Sequence, residues 1–285
     1  MPIAARDLID DTVELASLPS VVMQAMELLN SPNTSASDIG AVISQDPALT
    51  VRLLKIVNSA FYGFPSRIET ISRAITIVGS LELTDLILGS CAIQVFEKIP
   101  NKLVDMEKFW EHSLYAGVIA RILARYLRAP NTERCFVMGL LHDIGALILY
   151  RQQPDKSRQA LELSAERALP LNIAEREIFG FDHGEVGAEL MRSWNLPESF
   201  IEVTHHHHQP SVAERYRLET AIIHLADVTT CMAHGNGSGN QPTPLEPGTW
   251  ELTGLSVDIM DQVITEADTQ FAEARLALLP RSKAA

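Results

Sequence analysis

The sequence predicts an all-α protein, a helical bundle in two parts. Apolar residues recur at three- and four-residue spacing along most of the chain, and no segment alternates cleanly with period two. The breaks between periodic segments are rich in Asn, Ser, Pro, Gly and Asp. Hydrophobic residues make up 46% and charged residues 21% of the 285, the balance of a globular chain and not of a disordered one.

The elements follow in order. Leu18 to Leu29 places Val21, Val22, Met26 and Leu29 at helical spacing and stops at Asn30-Ser31-Pro32-Asn33. Thr34 to Ser37 offers caps for a short helix bearing Ile39, Val42 and Ile43. Asp46-Pro47 reads as an N-cap with proline in the first turn, opening a helix with Leu49, Leu53, Ile56 and Val57 on one side. Asn58 to Gly63 ends it. Between Ile68 and Phe96 two helical patterns are parted near Gly79-Ser80. These make up the first part, residues 1–100. The second, residues 101–234, opens with a long helix from Asp105 to Arg128. One face of it carries His112, Ala116, Ile119 and Leu123, and another carries Arg121, Arg125 and Arg128. Thr132 to Tyr150 reads as one buried helix. Helices over Ser157–Arg167 and Ala174–Phe179 follow, and Asp182 with Glu185 three residues on resembles a capping box. A helix from Pro197 runs into His205 to His208, and a further one spans Leu218 to His234. Residues 235–256 read as a flexible loop on the Gly, Asn and Pro content of Gly235 to Gly248. Residues 257–285 hold a terminal helix packed on the bundle.

Charge and composition exclude several classes. A net charge of −13 with no dense Lys/Arg run argues against nucleic-acid binding. No apolar run approaches the ~18 to 20 residues that span a bilayer, so no membrane partner is expected. The start, MPIAARDLIDD, lacks the basic-then-apolar pattern of a secretory signal. Three scattered cysteines, odd in number and without a CxxC pair, fit a reducing cytoplasm. No P-loop, dinucleotide fingerprint or GxSxG elbow is present.

What the sequence does hold is histidine and aspartate in the second part: His112, His142-Asp143, His183, His205 to His208, then His224 and Asp227. Neutral imidazoles with carboxylates suit transition-metal ions, and a carboxylate can bridge two of them. Each member alone has a plainer explanation. A single His on an apolar face, such as His112, is more often a satisfied core residue. An ionised Asp143 in an apolar helix needs a cation, an imidazole or capped amides beside it, so His142-Asp143 also reads as a hydrogen-bonded core pair. Four consecutive histidines cover most of a helix's circumference, so about two can face one site. His224 and Asp227 share a face with Cys231, equally a ligand face or a buried polar pair. His234 reads as exposed.

Several motifs in order resemble the HDOD family. In the first part these are Leu18-Pro19, Ile43-Ser44-Gln45-Asp46-Pro47-Ala48-Leu49, Val57-Asn58-Ser59-Ala60, Ile71-Ser72-Arg73-Ala74-Ile75 and Val78-Gly79. In the second they are Gly139-Leu140-Leu141-His142-Asp143-Ile144-Gly145, Asp182-His183-Gly184-Glu185-Val186-Gly187-Ala188, Trp194-Asn195-Leu196-Pro197 and His207-His208-Gln209-Pro210. The resemblance runs from about Leu15 past Ala233.

The resemblance implies a helical bundle whose second half is related to HD-type phosphohydrolases, among them enzymes that hydrolyse cyclic dinucleotides. HDOD members are regarded as signalling outputs or scaffolds, often fused to receiver domains. No receiver pattern precedes the match here, which suggests a stand-alone module or the partner of a separate sensor. His112, His142, Asp143, His183, His207, His208 and Asp227 fall where metal-binding relatives place ligands, implying one or two ions of Fe, Mn, Zn or Ni. The catalytic surroundings depart from the pattern. Ala146 stands where active cyclic-dinucleotide phosphodiesterases carry Lys, and Gln209-Pro210-Ser211 replaces their Gly-Tyr-Pro. Val-Thr-Thr-Cys-Met follows Asp227 in place of an Asp-Ala-Leu type continuation. Losing a cation near a phosphate removes stabilisation where transition-state charge develops. The expectation is a cytoplasmic bacterial regulatory module, catalytic residues none. It acts through a signalling partner of sensor-kinase, receiver or cyclase type, and apolar helix faces could also support a homodimer. A metal-dependent phosphohydrolase and a non-catalytic nucleotide sensor are the alternatives.

Overall fold

The computed structural model describes residues 4–10, 17–29, 31, 34–97, 103–234 and 243–279, and these form helices and turns with no strand. The first part holds α1 (Ala5–Asp10), α2 (Ser20–Leu29), α3 (Ala36–Ile43), α4 (Pro47–Val57), α5 (Ile71–Val78) and α6 (Ser80–Glu97). Its starts are fixed by side-chain caps: Ser35 forms a capping box with Asp38, Asp46 accepts from the Leu49 N–H ahead of Pro47, and Thr70 accepts from Arg73. Gly79 parts α5 from α6 at φ 106, a conformation that a side chain would strain. From Leu83 to Ile93 every residue of α6 is buried, which is why its sequence shows apolar residues all round and not a stripe. No single described helix is long and apolar enough to cross a bilayer; α5 and α6 have the composition only as a pair bent by 114°.

The second part holds α7 (Met106–Tyr126), α8 (Thr132–Leu141), α9 (Ile144–Gln152), α10 (Pro154–Arg167), α11 (Leu171–Phe179), α12 (His183–Ser193), α13 (Glu198–His206) and α14 (Arg217–His234). Then come α15 (Thr249–Thr253) and α16 (Met260–Leu278). The long helix α7 packs on α8, α14 and α16, while α6 joins the parts by packing on α8 and α2. One hydrophobic core runs from Leu8 to Leu278. Across the junction, Arg121 lies over the Phe61 ring at 4.4 Å and donates to Glu133 at 2.7 Å, and Tyr62 Oη–H donates to the same carboxylate at 2.6 Å.

Two expectations change. Thr132 to Tyr150 is two helices, because the chain turns at His142-Asp143. The Ala146 N–H donates only three residues back, to Asp143 C=O, so a tighter turn starts α9 there. The stretch 235–256 lies outside the described residues as far as 242. From Thr243 it is packed against the bundle, and it includes α15.

Gly145 sets how closely α9 meets α12. A Cβ there would lie 2.1 Å from the His183 carbonyl oxygen and 2.4 Å from the Gly187 nitrogen, both backbone atoms. Gly145→Ala should therefore cost about 2 to 3 kcal/mol by overpacking. Gly248→Ala, where a Cβ meets nothing within 4 Å, should change stability by no more than about 0.5 kcal/mol. Urea unfolding checks both; equal midpoints for the two variants would contradict the contact.

Candidate metal centre

The seven predicted ligand residues meet at one place, brought there by five structural positions. His112 projects from the middle of α7 and Asp227 from the middle of α14. His142 and Asp143 occupy the break between α8 and α9. His183 is the first residue of α12, held there by Asp182, whose carboxylate caps the helix by accepting from Glu185 N–H at 3.1 Å. His207 and His208 follow the end of α13. The helix break is what turns Asp143 inward: it sits at the N-cap position of α9 instead of on a helix flank.

Asp143 lies at the middle of the cluster. Its Oδ1 is 3.2 Å from His142 Nε2, 3.2 Å from His183 Nε2 and 3.5 Å from His207 Nε2, and its Oδ2 is 3.7 Å from His112 Nε2. Asp227 Oδ1 lies 3.2 Å from His112 Nε2 and 3.6 Å from His142 Nε2. His208 Nε2 approaches His183 Nε2 at 2.8 Å. The donors fall into overlapping sets, one of His112, His142, Asp143 and Asp227, the other of Asp143, His183, His207 and His208. Asp143 belongs to both, the position of a bridging ligand.

The far ring nitrogens show how the set is oriented. His142 Nδ1–H donates to Gly139 C=O at 2.7 Å, His207 Nδ1–H to Thr204 C=O at 2.7 Å, and His183 Nδ1–H to Glu175 Oε2 at 2.6 Å. With Nδ1 carrying the hydrogen, each Nε2 turns a lone pair toward the carboxylates. Nε2 of His142 and of His207 is buried with no hydrogen-bond partner. Lone pairs of nitrogen and oxygen aimed into one buried space fit a divalent cation, and backbone or carboxylate support at the far nitrogen is how metal-bound histidines are held. Without an ion, protons must do the same work. Burial alone would depress the His142 imidazolium, but Asp143 and Asp227 beside it push the group up to about 10. Burial alone would also raise the two aspartates, yet the imidazoles hold both well below the carboxylate range. Metal binding at such a site releases protons.

The other histidines separate cleanly. His224 is buried but turned away: its Nδ1–H donates to His207 C=O at 2.7 Å and its Nε2 accepts the Glu246 N–H at 3.0 Å, so both nitrogens are used. It buttresses the His207 backbone. His205 and His206 stack on each other at the rim, and exposed His234 meets Tyr115 edge-on. Three contributors escaped the sequence reading. Glu175, 1% exposed, also accepts the His183 N–H at 2.9 Å; its signal was an acid on the apolar face of α11 beside Leu171 and Ala174. Thr243 Oγ1 meets His208 Nδ1 at 3.1 Å, and Glu246 holds Ser211 through its N–H and hydroxyl. Residues 243–247 thus form a strap beside the centre.

Under the strap a cleft of about 590 Å³ opens at His208, lined also by Asn172, Arg176, His205, His206 and Pro244. Arg176 is the one Lys or Arg among its described lining residues, and it is committed to Asp182 at 2.9 Å and Glu185 at 3.0 Å.

Removing Glu175 would leave two His183 donors without an acceptor. Glu175→Ala is expected to lower zinc affinity ~10- to 100-fold in competition with a chromophoric chelator. Glu177→Ala, which loses only an exposed pair with Arg167, should leave it unchanged. An unaltered affinity in Glu175→Ala would contradict the orienting role.

Comparison with known proteins identifies the fold and the family. An HDOD protein from Geobacter sulfurreducens, its function unknown, has 26% identity to the chain and superposes with a TM-score of 0.78 over 96% of this chain and 95% of that one. Two further structures share the fold at a TM-score of 0.74. One, from Shewanella amazonensis SB2B, is named as a candidate phosphohydrolase, with 23% identity over 96% of this chain and 98% of its own. The other, from Marinobacter aquaeolei VT8, is named as a candidate signal transduction protein, with 19% identity over 94% of this chain and 61% of its own. An uncharacterised protein of Treponema pallidum (strain Nichols) is 31% identical over 230 residues, which are 79% of this chain and 44% of that protein. The chain therefore spans less than half the length of that relative. The HDOD domain model matches residues 15–210, most of the sequence, and the chain belongs to the HDOD domain family.

Proposed function

We propose that the chain is a regulatory signalling module that keeps a transition-metal centre as a structural or sensing core and acts through contacts with a partner signalling protein, without turning over a phosphodiester. The observation that carries this reading is the contrast between a complete set of ligands and a cleft with no cation free for a phosphate. Seven side chains converge on the centre, while Arg176 is neutralised by two carboxylates. Ala146 is buried and uncharged where the active relatives' pattern has Lys, and Ser211 is tied down by Glu246. Metal ions alone can polarise a phosphoryl oxygen, but a site lacking its supporting groups generally loses turnover. The name of the Marinobacter neighbour is consistent with a signalling role.

The second reading, a metal-dependent phosphohydrolase, is favoured by the shared carboxylate Asp143, which places two donor sets side by side as a two-ion hydrolase requires. It also accords with the name of the Shewanella neighbour.

The test is metal analysis of protein purified without a His tag, together with turnover of cyclic dinucleotides in added Mn²⁺ or Fe²⁺. Bound metal without hydrolysis is expected, and the His142→Ala, Asp143→Ala double variant should lose the metal and unfold at lower temperature. Hydrolysis by the wild type that disappears in the double variant would establish the enzyme instead.

A further inference from the structure

Cys231 lies one helical turn beyond Asp227 on α14, so the two side chains share a face. Its Sγ is 3.6 Å from Asp227 Oδ1, and a ligand atom from each of His112, Asp227 and Cys231 lies within 4.8 Å of the other two. The same Asp227 oxygen is 3.2 Å from His112 Nε2 and 3.6 Å from His142 Nε2. His112 and Asp227 are themselves buried, so their ligand atoms and Sγ border one enclosed space. The other two thiols, Cys91 and Cys135, are buried and join no such cluster among the described residues.

We infer that Cys231 is a thiolate ligand of an ion held with His112 and Asp227, an additional donor that gives this half of the centre a soft character. The inference deepens the metal-centre reading and rests on it. The other half, built from His183, His207 and His208 around Asp143, offers only nitrogen and oxygen. The two halves therefore differ in what they select: a sulfur donor favours Zn²⁺, Co²⁺ or Fe²⁺ over Mg²⁺ and Mn²⁺. Charge agrees with this. Two divalent ions against the carboxylates of Asp143, Asp227 and Glu175 and neutral imidazoles still leave an excess of positive charge, which a thiolate reduces. The S–H proton leaves to solvent from the half-exposed Cys231 as the sulfur–metal bond forms, and no electron is transferred.

The full chain is titrated with Co²⁺ and followed by absorption, with bound cobalt counted by mass spectrometry. The wild type is expected to develop an intense near-ultraviolet thiolate-to-cobalt band as well as weaker visible bands. In Cys231→Ser the first should vanish while the visible bands persist, with zinc affinity lower by at least ~10-fold, the lesser end of what even outer partners of a ligand cost. As a measurement on the wild type alone, zinc loading should protect Cys231 from iodoacetamide, read by peptide mapping. Bound cobalt with visible bands but no near-ultraviolet band, or a thiol alkylated equally with and without zinc, would overturn the thiolate and leave the metal centre standing. No bound cobalt at all would overturn both.

Discussion

Two carboxylates, the mostly buried Asp143 and the buried Asp227, share the imidazoles of His112 and His142, and the second part of the molecule is arranged around that fact. Uncompensated, each buried charge would cost several kcal/mol. The compensation comes from four histidines, His112, His142, His183 and His207, and three of them have the far nitrogen held so that the near one faces the acids. Two of these holds are backbone carbonyls three residues back, at Gly139 and Thr204; a third is the buried carboxylate of Glu175. The close approach at Gly145 brings the start of α9 against the start of α12, so that Asp143 and His183 come within 3.2 Å of each other. The strap from Thr243 adds a contact to His208 and, through His224, one to the His207 backbone.

Charge is also buried where the two parts meet. Glu133 receives both Arg121 and Tyr62, and Asp85 on α6 pairs with Arg134 on α8 at 3.1 Å, although burial still pushes its carboxyl up to about 6. Breaking one partner of such a pair leaves an uncompensated group, so these contacts fix the register of the first part on α7 and α8. α7 and α8 are also the helices that carry His112 and lead into His142. The His/Asp cluster and the junction are therefore built on the same pair of helices.

Much of this could be read from the chain. Caps at Asp46 and Asp182 and the glycine at position 79 act through local chemistry, and they stand where the sequence puts them. The all-helical class was equally legible, and the family resemblance named the His and Asp residues that the fold brings together. The break at His142-Asp143 was not, because apolar residues continue on both sides from Leu140 to Leu149 and hide the change of axis. Glu175 was missed because an acid on a helix is ordinarily solvated; only the fold shows that its face meets His183. The strap was missed because Gly, Asn and Pro signal a loop equally well whether it is free or packed. Helix periodicity alone could not choose among the four consecutive histidines; the family resemblance favoured His207 and His208, and the fold brings these two to the Asp143 cluster and stacks His205 on His206 at the rim.

On the proposed reading Asp143 lies between two ion positions, with His112, His142 and Asp227 on one side and His183, His207 and His208 on the other. Anomalous diffraction from crystals grown with Fe²⁺ or Zn²⁺ tests it directly. Two peaks are expected, each next to one group and both within reach of Asp143, the two ions ~3.5 to 4 Å apart. Peaks confined to surface carboxylates, or the rim histidines alone carrying the ion, would contradict it.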